Sequence, residues 1–167
     1  MTRVAVCIGS NLGKRECSLR KMQRSLCSLF SQPVLMSSVM ETEPVGVKDV
    51  QSWYLNRIIS GYFSGSALQL LHHCFEIESS LGRTRLKPKG SRTADIDILL
   101  FGNVVIRSNK LTVPHPEITN RRFCLEGLRQ IGADWIVPGM NRTVEELHGE
   151  MGSVVRNQKV KSFSITT

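Results

Sequence analysis

Asp95-Ile96-Asp97-Ile98-Leu99-Leu100-Phe101-Gly102-Asn103-Val104-Val105-Ile106 is the stretch on which the fold turns. Its first seven residues form a short apolar run rich in isoleucine and leucine, which reads as a strand from Asp95 to Phe101. Gly102-Asn103 then makes a tight turn into a second apolar run, Val104 to Ile106, and so predicts an antiparallel hairpin. Within the strand, period two sets Asp95 and Asp97 on one face, about 6 to 7 Å apart. Ile96, Ile98 and Leu100 are then expected to point the other way, into a core.

Outward from this stretch, strands and helices are mixed. Val4 to Ile8 is a compact apolar run that closes in Gly9-Ser10-Asn11-Leu12-Gly13, a strand followed by a tight loop. Leu19, Met22, Leu26 and Leu29/Phe30 recur at helical spacing, which predicts a helix from about Lys14 to Phe30, stopped by Pro33. Val34 to Met40 reads as a second strand, residues 41 to 52 as loop, and Tyr54 to Phe63 as a third strand in spite of Asn56 and Arg57. Ser64-Gly65-Ser66 offers an N-cap to a helix carrying Leu68, Leu71, Phe75, Glu78 and Leu81, and Gly82 sits where its C-cap belongs. Residues 112 to 120 are irregular around Pro114 and Pro116. A short helix is expected from Phe123 to Ile131, and Thr143 with Glu146 fits a capping box that opens another. These elements predict an α+β class, one sheet covered by helices. No repeat or linker divides the chain, so a single domain over residues 1 to 167 is expected, with residues from Ser153 onward a loosely held tail.

Composition narrows the partners. A formal charge of +8 and a hydrophobic content of 41% describe a globular protein suited to phosphate-bearing ligands. No apolar run approaches the roughly 20 residues of a membrane span, and a soluble, cytoplasmic protein is expected. Cys7, Cys17, Cys27, Cys74 and Cys124 are scattered without a CxxC pair, so they read as buried or half-buried reduced thiols.

The cations are not evenly spread. Arg83, Arg85, Lys87, Lys89 and Arg92 fall in a loop that leads straight into Asp95 and Asp97. A basic loop is ordinarily a solvated loop, and an Asp-x-Asp pair is ordinarily the wet face of an edge strand. Side by side they have a common purpose, because a polyphosphate site needs both cations and a metal holder. Two close carboxylates repel unless a cation shares them, and magnesium binds one or two carboxylates together with substrate phosphates. Arginine forks grip phosphate oxygens and neutralise charge. His115, between Pro114 and Pro116, is held in a stiff loop with Arg121 six residues on. Asn56 is the odd polar residue in a strand, and a flat heterocycle with amide-like edges would satisfy it while Tyr54 stacks on its face.

Taken together, Ile8 to Gly13, Thr42 to Gly46, Tyr54-Leu55-Asn56, Gly82-Arg83, Gly90 to Asp97, and Val113 through Phe123 resemble, in order and spacing, the 6-hydroxymethyl-7,8-dihydropterin pyrophosphokinase family of folate biosynthesis, over about residues 3 to 140. The resemblance implies a ferredoxin-like α+β sandwich and transfer of pyrophosphate from ATP to the pterin alcohol, releasing AMP. It implies that Asp95 and Asp97 hold two magnesium ions, with Asp95 also near the pterin. Arg83 and Arg92, on a mobile loop, would close over the triphosphate and assist transfer. His115 and Arg121 would contact phosphates, Thr112 and Ile98 would line the adenine pocket, and Glu78 and Arg85 would complete the ATP site. The pterin would lie between Tyr54 and Phe123, held by Asn56 and by groups at Thr42, Pro44 and Val45. Lys89 and Ser91 stand where the family often has an aromatic residue and a proline, and Pro116 where some members have tyrosine. Other folate-pathway enzymes are implied as partners; nucleic acid and membrane are not. The alternatives are a ferredoxin-like RNA-binding protein and a kinase of another small alcohol.

Overall fold

The computed structural model describes residues 1–47, 50–83 and 90–165 of the 167-residue chain. Its frame is β1 (Thr2–Ser10), α1 (Arg15–Leu29), β2 (Ser31–Met36), β3 (Val39–Thr42), β4 (Tyr54–Phe63), α2 (Ala67–Ser80) and β5 (Asp95–Phe101). Two short strands follow, β6 (Ile106–Arg107) and β7 (Thr112–Val113), then α3 (Arg122–Gly132), β8 (Ile136–Val137), β9 (Arg142–Thr143), α4 (Val144–Gly149), α5 (Ser153–Arg156) and β10 (Val160–Phe163). The main sheet runs β10-β3-β4-β1-β5, with β2 also on β4, and its pairings are antiparallel. This β-α-β-β-β-α-β order, in which β2 and β3 both pair with β4, and the helices on both faces of the sheet give the expected ferredoxin-like α+β sandwich.

The unbroken apolar run of β1 has a simple cause: the strand is covered on both faces. Val4, Val6 and Ile8 pack with Leu19, Met22 and Leu26 of α1 and with Leu70 and Cys74 of α2. Ala5 and Cys7 face the other layer, with Cys124 and Leu128 of α3 and Val144 of α4. Ser66 caps α2 as expected, here in a capping box with Gln69, and the expected capping box of Thr143 with Glu146 forms. Among the described residues, no helix is long and apolar enough to cross a membrane.

Several expectations are corrected. The residues after Phe101 do not fold back along β5: a turn brings Val104 N to within 3.3 Å of the Phe101 carbonyl, but Ile106–Arg107 pairs with Thr112–Val113, and β5 pairs with β1. The register of β5 shifts between Ala5 and Val6, where Val6 faces Ile98 and Ala5 faces Leu100. That extra residue is a β-bulge. It moves Leu100 out of the layer of Ile96 and Ile98 and into the opposite one, beside Leu99. The strand expected from Val34 to Met40 is two strands. Ser37, buried between them, donates its amide to Ile58 O at 2.9 Å, and its hydroxyl accepts from Ile58 N at 2.9 Å.

Helix α2 buries Ala67, Leu70, Cys74 and Glu78, whereas Leu68 and Phe75 are exposed. The apolar stripe is therefore rotated by about one position from the expected one. Cys17 is exposed; Cys27 is intermediate, and Cys7, Cys74 and Cys124 are buried. Residues 153–163 are not a loose tail. β10 pairs with β3, Val160 against Thr42 through Phe163 against Val39, and Phe163 packs on the core.

Candidate active site

The two carboxylates of β5 sit at the end of the sheet where β1 runs into its glycine loop, with Asp95 opposite Gly9 and Asp97 opposite Cys7. Asp95 Oδ1 accepts from Arg92 Nη1 at 2.7 Å and pairs with Arg83 Nη1 at 2.9 Å. Asp97 Oδ2 accepts from Arg121 Nη1 at 3.3 Å, and its Oδ1 lies 3.8 Å from His115 Nε2. Three arginines thus converge on two acids. Burial and the neighbouring Asp95 push the Asp97 carboxyl above its ordinary range, against the pull of His115 and Arg121. Burial pulls His115 below the ordinary histidine value, partly opposed by Asp97. The imidazole is therefore biased toward its neutral form.

Local structure brings these groups together. Glu78, in the last turn of α2, is buried and accepts the amide of Ile96 at 2.7 Å, which ties the helix end to β5. The same carboxylate bonds Arg83. Gly82 adopts φ +75, the left-handed conformation that turns the chain out of α2 and aims Arg83 at the pair. Two depressions open on either side of the aspartates. One, of about 250 Å³, is lined by Thr42, Val45, Tyr54, Asn56 and Phe123, together with Asp95, Asp97, Arg92 and Arg121. The other, also about 250 Å³, is lined by Ile98, Thr112, His115, Glu78 and Arg83, again with Asp95 and Asp97.

The expected pterin and nucleotide residues therefore segregate into two cavities with the acids shared between them. Arg92 and Arg121, expected at ATP, line the first cavity. Pro44 does not line it, although its neighbours Glu43 and Val45 do. Arg85 lies outside the described residues, as do Lys87 and Lys89. Asn56 is buried and donates from Nδ2 to Thr42 Oγ1 at 2.7 Å, which leaves its second N–H and its carbonyl oxygen for a ligand.

Asn11, in the glycine loop, belongs to this site although local sequence assigns it no role. It is buried; its Oδ1 accepts Arg92 N at 2.7 Å, and its backbone N–H donates to Arg92 O at 3.0 Å. Its Nδ2 reaches Ser52 O at 3.1 Å. One side chain thus ties the arginine-bearing loop to the loop before β4. The signal was available in kind, since a buried amide in a glycine turn needs partners, but the partners are 41 and 81 residues away. Cys7 also lines the first cavity. The neighbouring Cys124 thiol, together with burial, raises the Cys7 thiol well above the ordinary value and keeps it protonated.

The donor set suits a hard cation. Asp95 and Asp97 offer carboxylate oxygens from one strand face at the junction of the two cavities. No group of three or more His, Cys, Asp or Glu side chains that could hold a metal occurs among the described residues. A pair of this kind fits magnesium, whose shell is ordinarily completed by water and phosphate oxygens, and does not fit a zinc cage.

The profile of the family described as 7,8-dihydro-6-hydroxymethylpterin-pyrophosphokinase (HPPK) matches residues 5–133. The 2-amino-4-hydroxy-6-hydroxymethyldihydropteridine pyrophosphokinase of Bacillus subtilis is 41% identical over 127 residues, 75% of this chain and 75% of that protein. Its counterpart from Haemophilus influenzae is 34% identical over 139 residues, 83% of this chain and 86% of that protein. Among solved structures, a Plasmodium falciparum HPPK-DHPS triple mutant superimposes with a TM-score of 0.71 at 14% identity, covering 93% of this chain. The chain spans 44% of that longer one, and at this identity the likeness concerns the fold alone.

Proposed function

This chain belongs to the 7,8-dihydro-6-hydroxymethylpterin-pyrophosphokinase family, and from that premise we propose that its paired cavities bind the two substrates on either side of Asp95 and Asp97. The reaction is transfer of pyrophosphate from ATP to 6-hydroxymethyl-7,8-dihydropterin, in folate biosynthesis. The observation that carries the site assignment is the sharing of both acids by a cavity with an amide-and-aromatic lining and a cavity holding His115, Thr112 and Arg83.

The pterin lies in the first cavity, its polar edge against Asn56 and Thr42 and its faces toward Tyr54 and Phe123. ATP lies in the second, its base near Ile98 and Thr112 and its phosphates directed at the acids. The pterin's hydroxymethyl oxygen forms a bond to the β-phosphorus as the bond from that phosphorus to the α,β-bridging oxygen breaks. AMP leaves with that oxygen, and the alcohol proton passes to solvent. Asp95 and Asp97 are the residues that would hold magnesium, which when bound neutralises phosphate charge and polarises the oxygens it contacts. Arg83, Arg92 and Arg121 exchange their carboxylate partners for phosphate oxygens, so that their forks meet charge as it develops. Asn11 sets the backbone from which Arg92 reaches, and Glu78 does the same for Arg83. His115, neutral and with Nδ1 accepting Glu117 N at 3.2 Å, donates one hydrogen bond from Nε2 to a phosphate oxygen and adds no charge. No side chain is required as a general base; catalysis is positioning and charge neutralisation.

The RNA-binding alternative would present its arginines outward, whereas these three turn inward onto carboxylates. A cytoplasmic location belongs to the same proposal. So do other folate-pathway enzymes as partners, in keeping with Plasmodium falciparum chains that join HPPK to DHPS. The test is incubation with ATP, magnesium and the pterin alcohol. AMP and the pterin diphosphate should appear in equal amounts, and ADP or orthophosphate in their place would reject the reading.

A further inference from the structure

The segment from Arg156 to Phe163 lies beyond the span 5–133 matched by the family profile, yet it touches both walls of the first cavity. On one side, Lys159 N donates to Glu43 Oε1 at 2.8 Å and Glu43 N to Lys159 O at 3.2 Å. The next residue, Val160, pairs with Thr42, the acceptor of the Asn56 amide. Thr42 and Glu43 are both cavity-lining residues.

On the other side, Gln158 uses both ends of its carboxamide at the start of α3. Its Oε1 accepts Arg122 N at 2.9 Å, and its Nε2 donates to Asn120 O at 2.8 Å. These two groups flank Arg121, whose guanidinium reaches Asp97, and immediately precede Phe123. The Arg122 side chain adds bonds from Nη1 to the carbonyls of Arg156, at 3.0 Å, and Gln158, at 3.1 Å. The amide of Arg122 is one of the orphan donors of a helix N-terminus, and α3 has no side-chain cap of its own from Arg121. Gln158 supplies that cap from 36 residues away.

From this double attachment we infer that residues 156–163 form a strap across the pterin cavity, and that Gln158 is a positioning residue fixing Arg121 and Phe123 relative to Thr42 and Asn56. The inference rests on the substrate placement proposed above. The walls belong to separate elements, the β3 end and the α3 start; Met40 and Ile58 pack against α3 beneath them, and the bonds through Gln158 and Lys159 tie their outer edges together. A heterocycle gripped at its edge by Asn56 and on its face by Phe123 is sensitive to the distance between those edges. ATP, held in the other cavity by Arg83 and His115 and sharing only Arg121 with this wall, is less so.

The experiment is calorimetric titration of the full chain with the pterin alcohol and, separately, with magnesium and a non-hydrolysable ATP analogue, for wild type, Gln158→Ala and Gln158→Glu. Thermal melts of all three accompany it. Gln158→Ala should raise the pterin Kd by about fivefold or more, the worth of one hydrogen bond, and change the nucleotide Kd by less than about twofold. Gln158→Glu keeps the acceptor for the Arg122 amide and should regain part of the loss. A pterin Kd within about twofold of wild type in Gln158→Ala overturns the inference, since one lost bond is worth more than that. Parallel weakening of both ligands, or a glutamate variant no better than alanine, overturns it equally. Failure of the wild-type chain itself to bind the pterin would instead remove the substrate placement on which the inference stands.

Discussion

Asn56→Ala tests the acceptor cavity most directly. Asn56 lies on β4 opposite Gly9 of β1 and Met40 of β3, with 4% of its surface exposed, and its amide bonds to a Thr42 hydroxyl that is 2% exposed. Its carbonyl oxygen and second N–H can make two hydrogen bonds to a heterocycle. At about 0.5 to 1.5 kcal/mol net for each bond, their loss costs about 1 to 3 kcal/mol. At about 1.4 kcal/mol per factor of ten, that is roughly a 5- to 150-fold rise in the pterin Kd. The Thr42 hydroxyl, left without its donor, should also lower the melting temperature by a few degrees at most, since it can accept water in the widened cavity. Gly9→Ala perturbs the same amide from outside, because a Cβ there would lie 2.6 Å from Asn56 Oδ1 and force the carboxamide to shift. It should weaken the pterin in the same direction while leaving the amide present. Titration of each variant with pterin and with nucleotide separates the outcomes. Wild-type pterin affinity in a folded Asn56→Ala, or equal losses for both ligands, would refute the assignment.

Three further outcomes follow from the acids and their partners. Asp97→Asn should abolish AMP release yet melt higher than wild type near neutral pH. Burial and Asp95 raise the folded-state value of the carboxyl, so its contribution to stability is full at low pH and lost as pH rises through that value. The variant's advantage should accordingly shrink on acidification in melts run without metal, and a wild-type rate or a lower neutral-pH melt would contradict this. Arg83→Ala and Arg92→Ala should each lower single-turnover AMP release at least about tenfold while changing nucleotide Kd much less, and lysine should restore only part, since an ammonium lacks the two-pronged fork. His115 should titrate below the free-histidine value by NMR, in the direction its burial dictates; a midpoint above that value would mean Asp97 governs the ring.

Much of this molecule is legible in local sequence, because its signals are local. The Ser66 N-cap, the Thr143–Glu146 capping box, the helical spacing of Leu19, Met22 and Leu26, and the β4 strand from Tyr54 to Phe63 depend on neighbours a few residues away. Period two alone sets Asp95 and Asp97 on one face, and a run of motifs in order is enough to imply the chemistry. What local sequence does not carry is which elements meet. The bulge at Leu99 that sends Leu100 to the opposite layer, the choice of β1 and not residues 104–106 as the partner of β5, and the docking of β10 on β3 are all settled by long-range packing. The same holds for Asn11 on Arg92 and Gln158 on the start of α3, bonds between residues 81 and 36 positions apart. A hydrogen-bonding side chain declares its need for a partner wherever it stands, but the partner's identity exists only once the sheet has brought the two ends of the chain together.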